Sequence, residues 1–298
     1  MVSPISQRKY VVRPFITSIF VLLALLLAAC GSTGGGTTTG SGGGGATATT
    51  KPSVAAPNDL LTPGTLLVGS DTTYPPQEYI DNTTGQATGF DIDLIKAVAA
   101  RMGLTAKIQT AQFNSIITSL QAKRFDIVIS AVTINSDRQK VVDFVPYFNA
   151  GESLLVQNGN PEHITSVSDL CGKNVGVQNG TVEQSDLQTA DAACKKAGKP
   201  AINMTVLQDQ TAVIQLLVTN RVVATYQDSP VTDYYNKLNP GRFQVGGSVV
   251  NAAPEGIVIR KGDTSMFNAV QAAFNAVKAD GTYTQIINKW GLVTGAIS

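Results

Sequence analysis

Apolar positions along the chain alternate between two periods. Leu66-Leu67-Val68-Gly69 is a short apolar run, the signature of a buried strand. From Asp91 to Met102 the apolar residues Ile92, Ile95, Val98, Ala99 and Met102 fall on one helical stripe, with acids in the first turn, Arg101 in the last and Gly103 as the stop. Ala106 to Gln109 then reads as a strand, Asn114 to Ala122 as a helix with Ile116, Ile117 and Leu120 inward, and Asp126 to Ser130 as a third strand. Two helical crossovers between strands predict a β-α-β-α-β unit with a mostly parallel sheet.

The same order recurs downstream. The spacing predicts strands at Asn174 to Gln178, Asn203 to Leu207 and Val222 to Tyr226, separated by helices at Val182 to Lys196 and Thr211 to Thr219. A strand at Gly256 to Arg260 and helices at Ser265 to Ala279 and Tyr283 to Trp290 follow, and can complete either unit. The fold class predicted is α/β, with two lobes of similar plan.

The N-terminus follows a different pattern. Arg8, Lys9 and Arg13 precede an apolar run from Ile19 to Ala29 that stops at Cys30, which predicts an export signal over residues 1–29. The run is well short of the roughly 20 residues that a membrane-spanning helix requires. Residues 30–57 are rich in Gly, Ser, Thr and Ala without apolar periodicity, and read as a flexible linker. With Cys30 set aside, Cys171 and Cys194 form an even pair in a compartment where disulfides persist. A disulfide between them is the expectation, and two buried free thiols are the competing reading of the same spacing.

Charge adds an exclusion. Lys and Arg number 22 against 21 Asp and Glu, with no basic stripe, so nucleic acid is not an expected partner. His163 is the single histidine, and no metal-ligand cluster or nucleophile-base pairing stands out, so no catalytic residue, metal or cofactor is expected.

In open parallel sheets ligands sit at the carboxyl ends of strands. Those ends here carry Ser70, Asp71 and Tyr74, then Phe113, then Ser130, Ala131, Thr133 and Arg138; in the second unit they carry Gln178, Gly180-Thr181 and Gln227-Asp228. Arg138 offers a planar fork of donors to a carboxylate, to which Ser130 and Thr133 can add bonds. Gly180-Thr181 opens a helix whose free amides favour an anion, whereas Asp228 favours a cation. An α-amino acid carries both charges on one carbon, and Tyr74 and Phe113 are placed to sandwich its side chain. Plainer readings stand beside these: an Arg138–Asp137 surface ion pair, helix N-caps at Thr181 and Asp228, and core positions for Tyr74 and Phe113.

With these residues placed, the chain resembles the polar amino-acid binding proteins of bacterial ABC importers, the family 3 solute-binding proteins, from about Leu66 to Trp290. The motifs that carry the resemblance are Gly69-Ser70-Asp71-Thr72-Thr73-Tyr74-Pro75-Pro76, Gly89-Phe90-Asp91-Ile92-Asp93-Leu94, Asp126 through Phe148, Asp169 through Val177, and Asp280-Gly281-Thr282-Tyr283. Leu27-Ala28-Ala29-Cys30 resembles the lipobox of bacterial lipoproteins, which implies lipid attachment at Cys30 and a protein held on the outer face of the cytoplasmic membrane.

The resemblance implies a type II periplasmic-binding-protein-like fold, with two mixed, mostly parallel sheets joined by a two-strand hinge near Gly151 to Leu155 and Asn251 to Gly256. Lobe one would comprise 58–152 plus 254–298, and lobe two 153–253. It implies Arg138 on the α-carboxylate with help from Thr133 and Thr181, and Asp228 with the Ala131 carbonyl on the α-ammonium. Tyr74 and Phe113 would stack on the side chain, and Asp71 would reach its polar end. The implied activity is capture of a free polar amino acid by a monomer for an ABC permease. Two other readings are a ligand-sensing module and a dehydratase-like enzyme using Glu183 as an acid. Gln77 and Glu183 depart from the family pattern and, with Asp71, favour a side chain that donates hydrogen bonds: glutamine, asparagine, arginine or lysine.

Overall fold

The computed structural model describes residues 52–298; the expected signal, Cys30 and most of the expected linker lie outside the described residues. In chain order the elements are β1 (Thr65–Ser70), β2 (Thr73–Tyr74), β3 (Glu78–Ile80), β4 (Ala87–Thr88), α1 (Phe90–Arg101), β5 (Thr105–Thr110), α2 (Phe113–Gln121), β6 (Ile127–Val128), α3 (Ser136–Gln139) and β7 (Val142–Gln157). The chain continues through β8 (Asn174–Gln178), α4 (Val182–Lys196), β9 (Asn203–Leu207), α5 (Gln210–Val218), β10 (Ala224–Asp228), α6 (Ser229–Leu238), β11 (Phe243–Val245), β12 (Val250–Arg260), α7 (Thr264–Ala279) and α8 (Thr282–Trp290).

The two predicted units form two parallel halves, β5-β1-β6 and β10-β8-β9. Two long strands join them. The first half of β7 pairs antiparallel with β12, and its second half pairs with β10 and β11. Hydrogen bonding is therefore continuous, in the order β5-β1-β6-β12-β7-β10-β8-β9, with β11 alongside β7. The two lobe sheets are one nine-stranded sheet, because β7 is long enough to belong to both. A small second sheet, β2-β3-β4, sits at the edge of the cleft.

Each lobe has its own core. In lobe one, Leu66 and Val68 of β1 pack with Ile95 and Val98 of α1, Val270 and Phe274 of α7, and Ile287 of α8. In lobe two, Val175 and Val177 of β8 pack with Leu187 of α4 and Tyr226 of β10. Where the strands pass between lobes the ladder is irregular: the register shifts between Val250 and Ala253, and Asn251 takes φ 51°. Gly151 is required there, since a Cβ would lie 2.5 Å from Val249 Cγ1 and 2.8 Å from the Val250 carbonyl oxygen.

Two details differ from the sequence reading. The linker drawn to Pro57 is docked over its last residues: Ser53 and Val54 N–H donate to the Arg101 carbonyl at 2.9 and 3.0 Å, and Val54 and Ala56 pack on the lobe one core. A helix end leaves carbonyls without partners, and this segment supplies donors to one of them. The third strand of lobe two runs over Ala224–Asp228 rather than Val222 to Tyr226, because its pairing with β7 continues until Asp228 faces Glu152. As the sequence led one to expect, Cys171 and Cys194 are disulfide-bonded, with Cα atoms 5.6 Å apart, tying the segment before β8 to the last turn of α4. Among the described residues no helix is long and apolar enough to cross a membrane.

Candidate functional site

The strand ends of the two lobes meet around one closed cavity. Asp71, Tyr74, Phe113, Ser130, Ala131, Thr133 and Arg138 line it from lobe one, and Gln178, Thr181 and Asp228 from lobe two. Glu78, Val182 and Glu183 complete the wall. The cavity volume is about 10 Å3, room for about one water molecule. The lobes abut at Gly180, where φ is +84° and a Cβ would lie 2.7 Å from Asn114 Cα.

Arg138 sits in the short α3, whose Asn135 side chain accepts from the Arg138 N–H at 2.9 Å. Its guanidinium turns inward. Nη1 donates to the Thr133 carbonyl at 2.8 Å, Nη2 reaches across the cleft to the Gly180 carbonyl at 3.2 Å, and the group lies 5.4 Å over the Phe113 ring. Asp137 pairs instead with Lys140 at 2.6 Å, so the surface-pair reading of Arg138 does not hold. Burial pulls the guanidinium pKa down, against the attraction of Glu183 and Asp228.

Asp228 occupies the N-cap position of α6, yet its side chain makes no capping bond. A cap oxygen normally accepts from the second or third helical N–H, and the second residue here is Pro230. The carboxylate is directed at Tyr74 instead: the Tyr74 hydroxyl donates to Oδ2 at 2.8 Å, and its oxygen accepts the Asp228 N–H at 3.1 Å. Burial pushes Asp228 up to about 6, moderated by Tyr74 and Arg138. Glu183, fully buried beside it, is raised well above the carboxylate range by burial and by the Asp228 and Glu152 charges. Tyr74 therefore bonds across the cleft to Asp228 while also lining the cavity.

Asp71 is held from both sides. Its Oδ1 accepts from Thr73 Oγ1 at 2.8 Å, and its Oδ2 accepts from Gln178 Nε2 of lobe two at 2.6 Å. Burial pushes its pKa up to about 6 despite those bonds. Ser130 Oγ accepts the Asp71 N–H at 2.9 Å and donates to Glu78 Oε1 at 2.8 Å. Ala131 follows at φ 45°, a conformation that costs a non-glycine residue of order 1–3 kcal/mol. Asp91 Oδ2 holds it there, accepting the Ala131 N–H at 3.0 Å and the Tyr147 hydroxyl at 2.7 Å.

Thr181 behaves as the plainer reading has it. Its hydroxyl oxygen caps α4 by accepting from Gln184 N–H at 3.2 Å, and the hydroxyl donates to the Gln178 carbonyl at 3.1 Å. Gln77 is fully buried, donates to Glu255 Oε2 and does not line the cavity. The hairpin explains this, since β2 and β3 pair Tyr74 with Glu78, so Glu78 rather than Gln77 faces the site. Reading Pro75-Pro76-Gln77 as a tight turn was the signal that would have found Glu78. Glu183 was legible as an acid after Gly180-Thr181 but not as a buried partner of Asp228. His163 is exposed and away from the cavity, and among the described residues no group of three or more His, Cys, Asp or Glu is placed to hold a metal.

Residues 66–293 match the pattern of the bacterial extracellular solute-binding proteins, family 3. The chain is 31% identical over 229 residues to the L-cystine-binding protein TcyJ of Escherichia coli, covering 76% of this chain and 82% of that protein. It is 31% identical over 242 residues to the arginine-binding protein ArgT of Corynebacterium glutamicum, covering 81% and 79%. Among solved structures, an ancestral arginine-binding protein bound to arginine superposes with a TM-score of 0.70 at 37% identity, covering 76% of this chain and 98% of that one.

Proposed function

Since the chain belongs to the bacterial extracellular solute-binding proteins, family 3, we propose that its cleft captures a free polar amino acid outside the cytoplasm and presents it to an ABC importer permease. The observation that carries this reading is the opposition of Arg138 on lobe one to Asp228 on lobe two across a single closed cavity. Arg138 takes the α-carboxylate, and Asp228 with Glu183 takes the α-ammonium. Binding favours the closed state because only closure brings the two half-sites to one ligand. The lobes are bounded as 58–152 plus 254–298 and 153–253, and the two distinct cores support that division. The relatives named for cystine and arginine binding support an amino acid as the ligand.

The chain acts as a monomer held by lipid on Cys30, with residues 1–29 removed on export; the charged start, short apolar run and Leu27-Ala28-Ala29-Cys30 support this. The ligand leaves unchanged. Glu183, the acid of the dehydratase-like reading, does line the cavity, so mass spectrometry of a bound candidate is the check that would expose any turnover.

Calorimetry with a panel of the twenty amino acids tests the central claim, and silence across the panel rejects it. Arg138→Ala should weaken binding by about 2–5 kcal/mol, the cost of leaving a buried charge without its partner. A loss smaller than about 1 kcal/mol, the range of an exposed ion pair, would place the carboxylate elsewhere.

A further inference from the structure

Among the described residues, six other than glycine take positive φ, and five have a local reason to do so. Asn160, His163, Asn220 and Asn251 are of types that tolerate the left-handed region, and Lys123 follows the end of α2. Ala131, at φ 45°, has neither reason. It also lines the ligand cavity, as do Ser130 before it and Thr133 beyond. Strain that persists at a site is held there by its surroundings, so the group that holds it bears on how the site works.

One side chain holds Ala131. Asp91, in the first turn of α1, is fully buried and does not line the cavity. Its Oδ2 accepts the Ala131 N–H at 3.0 Å and the Tyr147 hydroxyl at 2.7 Å, which fixes the carboxyl between the loop and β7. Its Oδ1 has no partner, and neither has Glu78 Oε2. Glu78 comes from β3 and accepts the Ser130 hydroxyl on its other oxygen at 2.8 Å. The Glu78 and Asp91 carboxyls form a hydrogen-bonded pair, which requires a proton on one of them and gives the pair the donor it otherwise lacks. Burial agrees, raising Asp91 to about 7 and Glu78 well above the carboxylate range; the other charges facing them, Asp71, Asp228 and Glu255, are acids as well.

We propose that Asp91 is a positioning residue for capture: with Glu78 it clamps residues 130–131 in the strained turn that aims the Ala131 carbonyl at the α-ammonium. The inference rests on the capture reading above. Without the clamp Ala131 relaxes to negative φ, its carbonyl swings away, and binding has to restore the turn. The Asp91 side chain never meets the amino acid; the backbone it holds does.

The test is calorimetry on the intact protein, freed of copurified ligand, with the amino acid of the twenty-member panel that the unaltered chain binds most tightly. Asp91→Ala should weaken binding by about five- to thirtyfold, the left-handed penalty of an alanine expressed as an equilibrium. Asp91→Asn should stay within about threefold of the unaltered protein, since its amide oxygen accepts both bonds and its NH2 replaces the shared proton as donor to Glu78. Ala131→Gly gives the deciding comparison, because glycine takes positive φ without help. In that background Asp91→Ala should weaken binding by less than about threefold, a rescue that a merely structural role in folding does not produce. Three results overturn the assignment while leaving capture standing: a loss on Asp91→Ala below about fivefold, an equal loss on Asp91→Asn, or a loss undiminished by Ala131→Gly. If Asp91→Ala does not melt cooperatively, Asp91→Glu, which keeps the acid but displaces it by one methylene, takes its place with the same expectations. Silence from all twenty amino acids overturns the capture reading and this one with it.

Discussion

At Tyr74 one hydroxyl makes two bonds to a single residue of the opposite lobe, donating to the Asp228 carboxylate and accepting from its N–H. The residue is 5% exposed, so both bonds are shielded from water. Tyr74→Phe leaves the ring in place and strands the Asp228 N–H in the closed form. The cost should be about 1–3 kcal/mol of ligand affinity, the penalty for an unsatisfied buried group. Titration of the variant by calorimetry checks this, and unchanged affinity would mean that the bonds do not survive ligand binding. Tyr74 shows how far residue type alone leads. Its place at a strand end was legible, but an aromatic there reads equally as core, as wall or as latch, and only the partner 154 positions away decides.

Among the elements, α4 carries two features that act in different states. Gly180, just before its N-cap, packs against Asn114 of lobe one in the closed cleft, so Gly180→Ala should meet Asn114 there, while the φ of +84° costs the variant roughly 1–2 kcal/mol whether or not the lobes are together. Affinity should fall at least about tenfold, more than that backbone term explains once the Asn114 contact is lost, with only a modest drop in the melting temperature of the ligand-free protein. An equal loss in both would place the effect in folding rather than closure. At the other end of α4, Cys194 is bonded to Cys171, 23 residues away in sequence. In the chain-entropy view opening that loop costs about 3 kcal/mol. Cys171→Ser with Cys194→Ser should therefore lower the melting temperature by roughly 6–12 °C, given about 2–4 °C per kcal/mol for a body of this size. Scanning calorimetry of the double variant measures it, and a change below about 2 °C would show that the bridge adds little.

Across the molecule, buried acids set a pH dependence opposite to the usual one. Burial pushes Asp71 and Asp228 up to about 6, and Asp91 and Glu152 up to about 7. In the unfolded chain these groups titrate near 4. Between roughly pH 4 and 7 the folded protein thus holds more protons than the unfolded one, and stability falls as pH rises through that window. Carboxylates lowered by ion pairs or amide bonds, such as Asp137, Asp143 and Asp169, lose their contribution only below it. The melting temperature of the ligand-free protein should decline from pH 5 to pH 8. A rise over that range would show that the acids are relieved by partners other than ligand.

The sequence by itself determined the repeated β-α-β-α-β plan, because apolar spacing is a local property: the elements at Asn174–Gln178, Val182–Lys196 and Asn203–Leu207 fall where their periodicity puts them. It also determined which strand ends carry polar residues, since a parallel sheet sends every crossover loop to the same edge. Tertiary structure decided the rest. Whether Arg138 pairs with Asp137 or turns inward depends on Thr133 and Gly180, one of them 42 positions away. Whether Asp228 caps a helix or faces a ligand depends on Pro230 and Tyr74. Whether Gln77 or Glu78 reaches the cavity depends on a hairpin register, in which one residue's slip exchanges the two faces. Patterns name the candidates because they reflect the chain's own periodicity, whereas charge, burial and pairing are properties of neighbours that only the closed fold brings together.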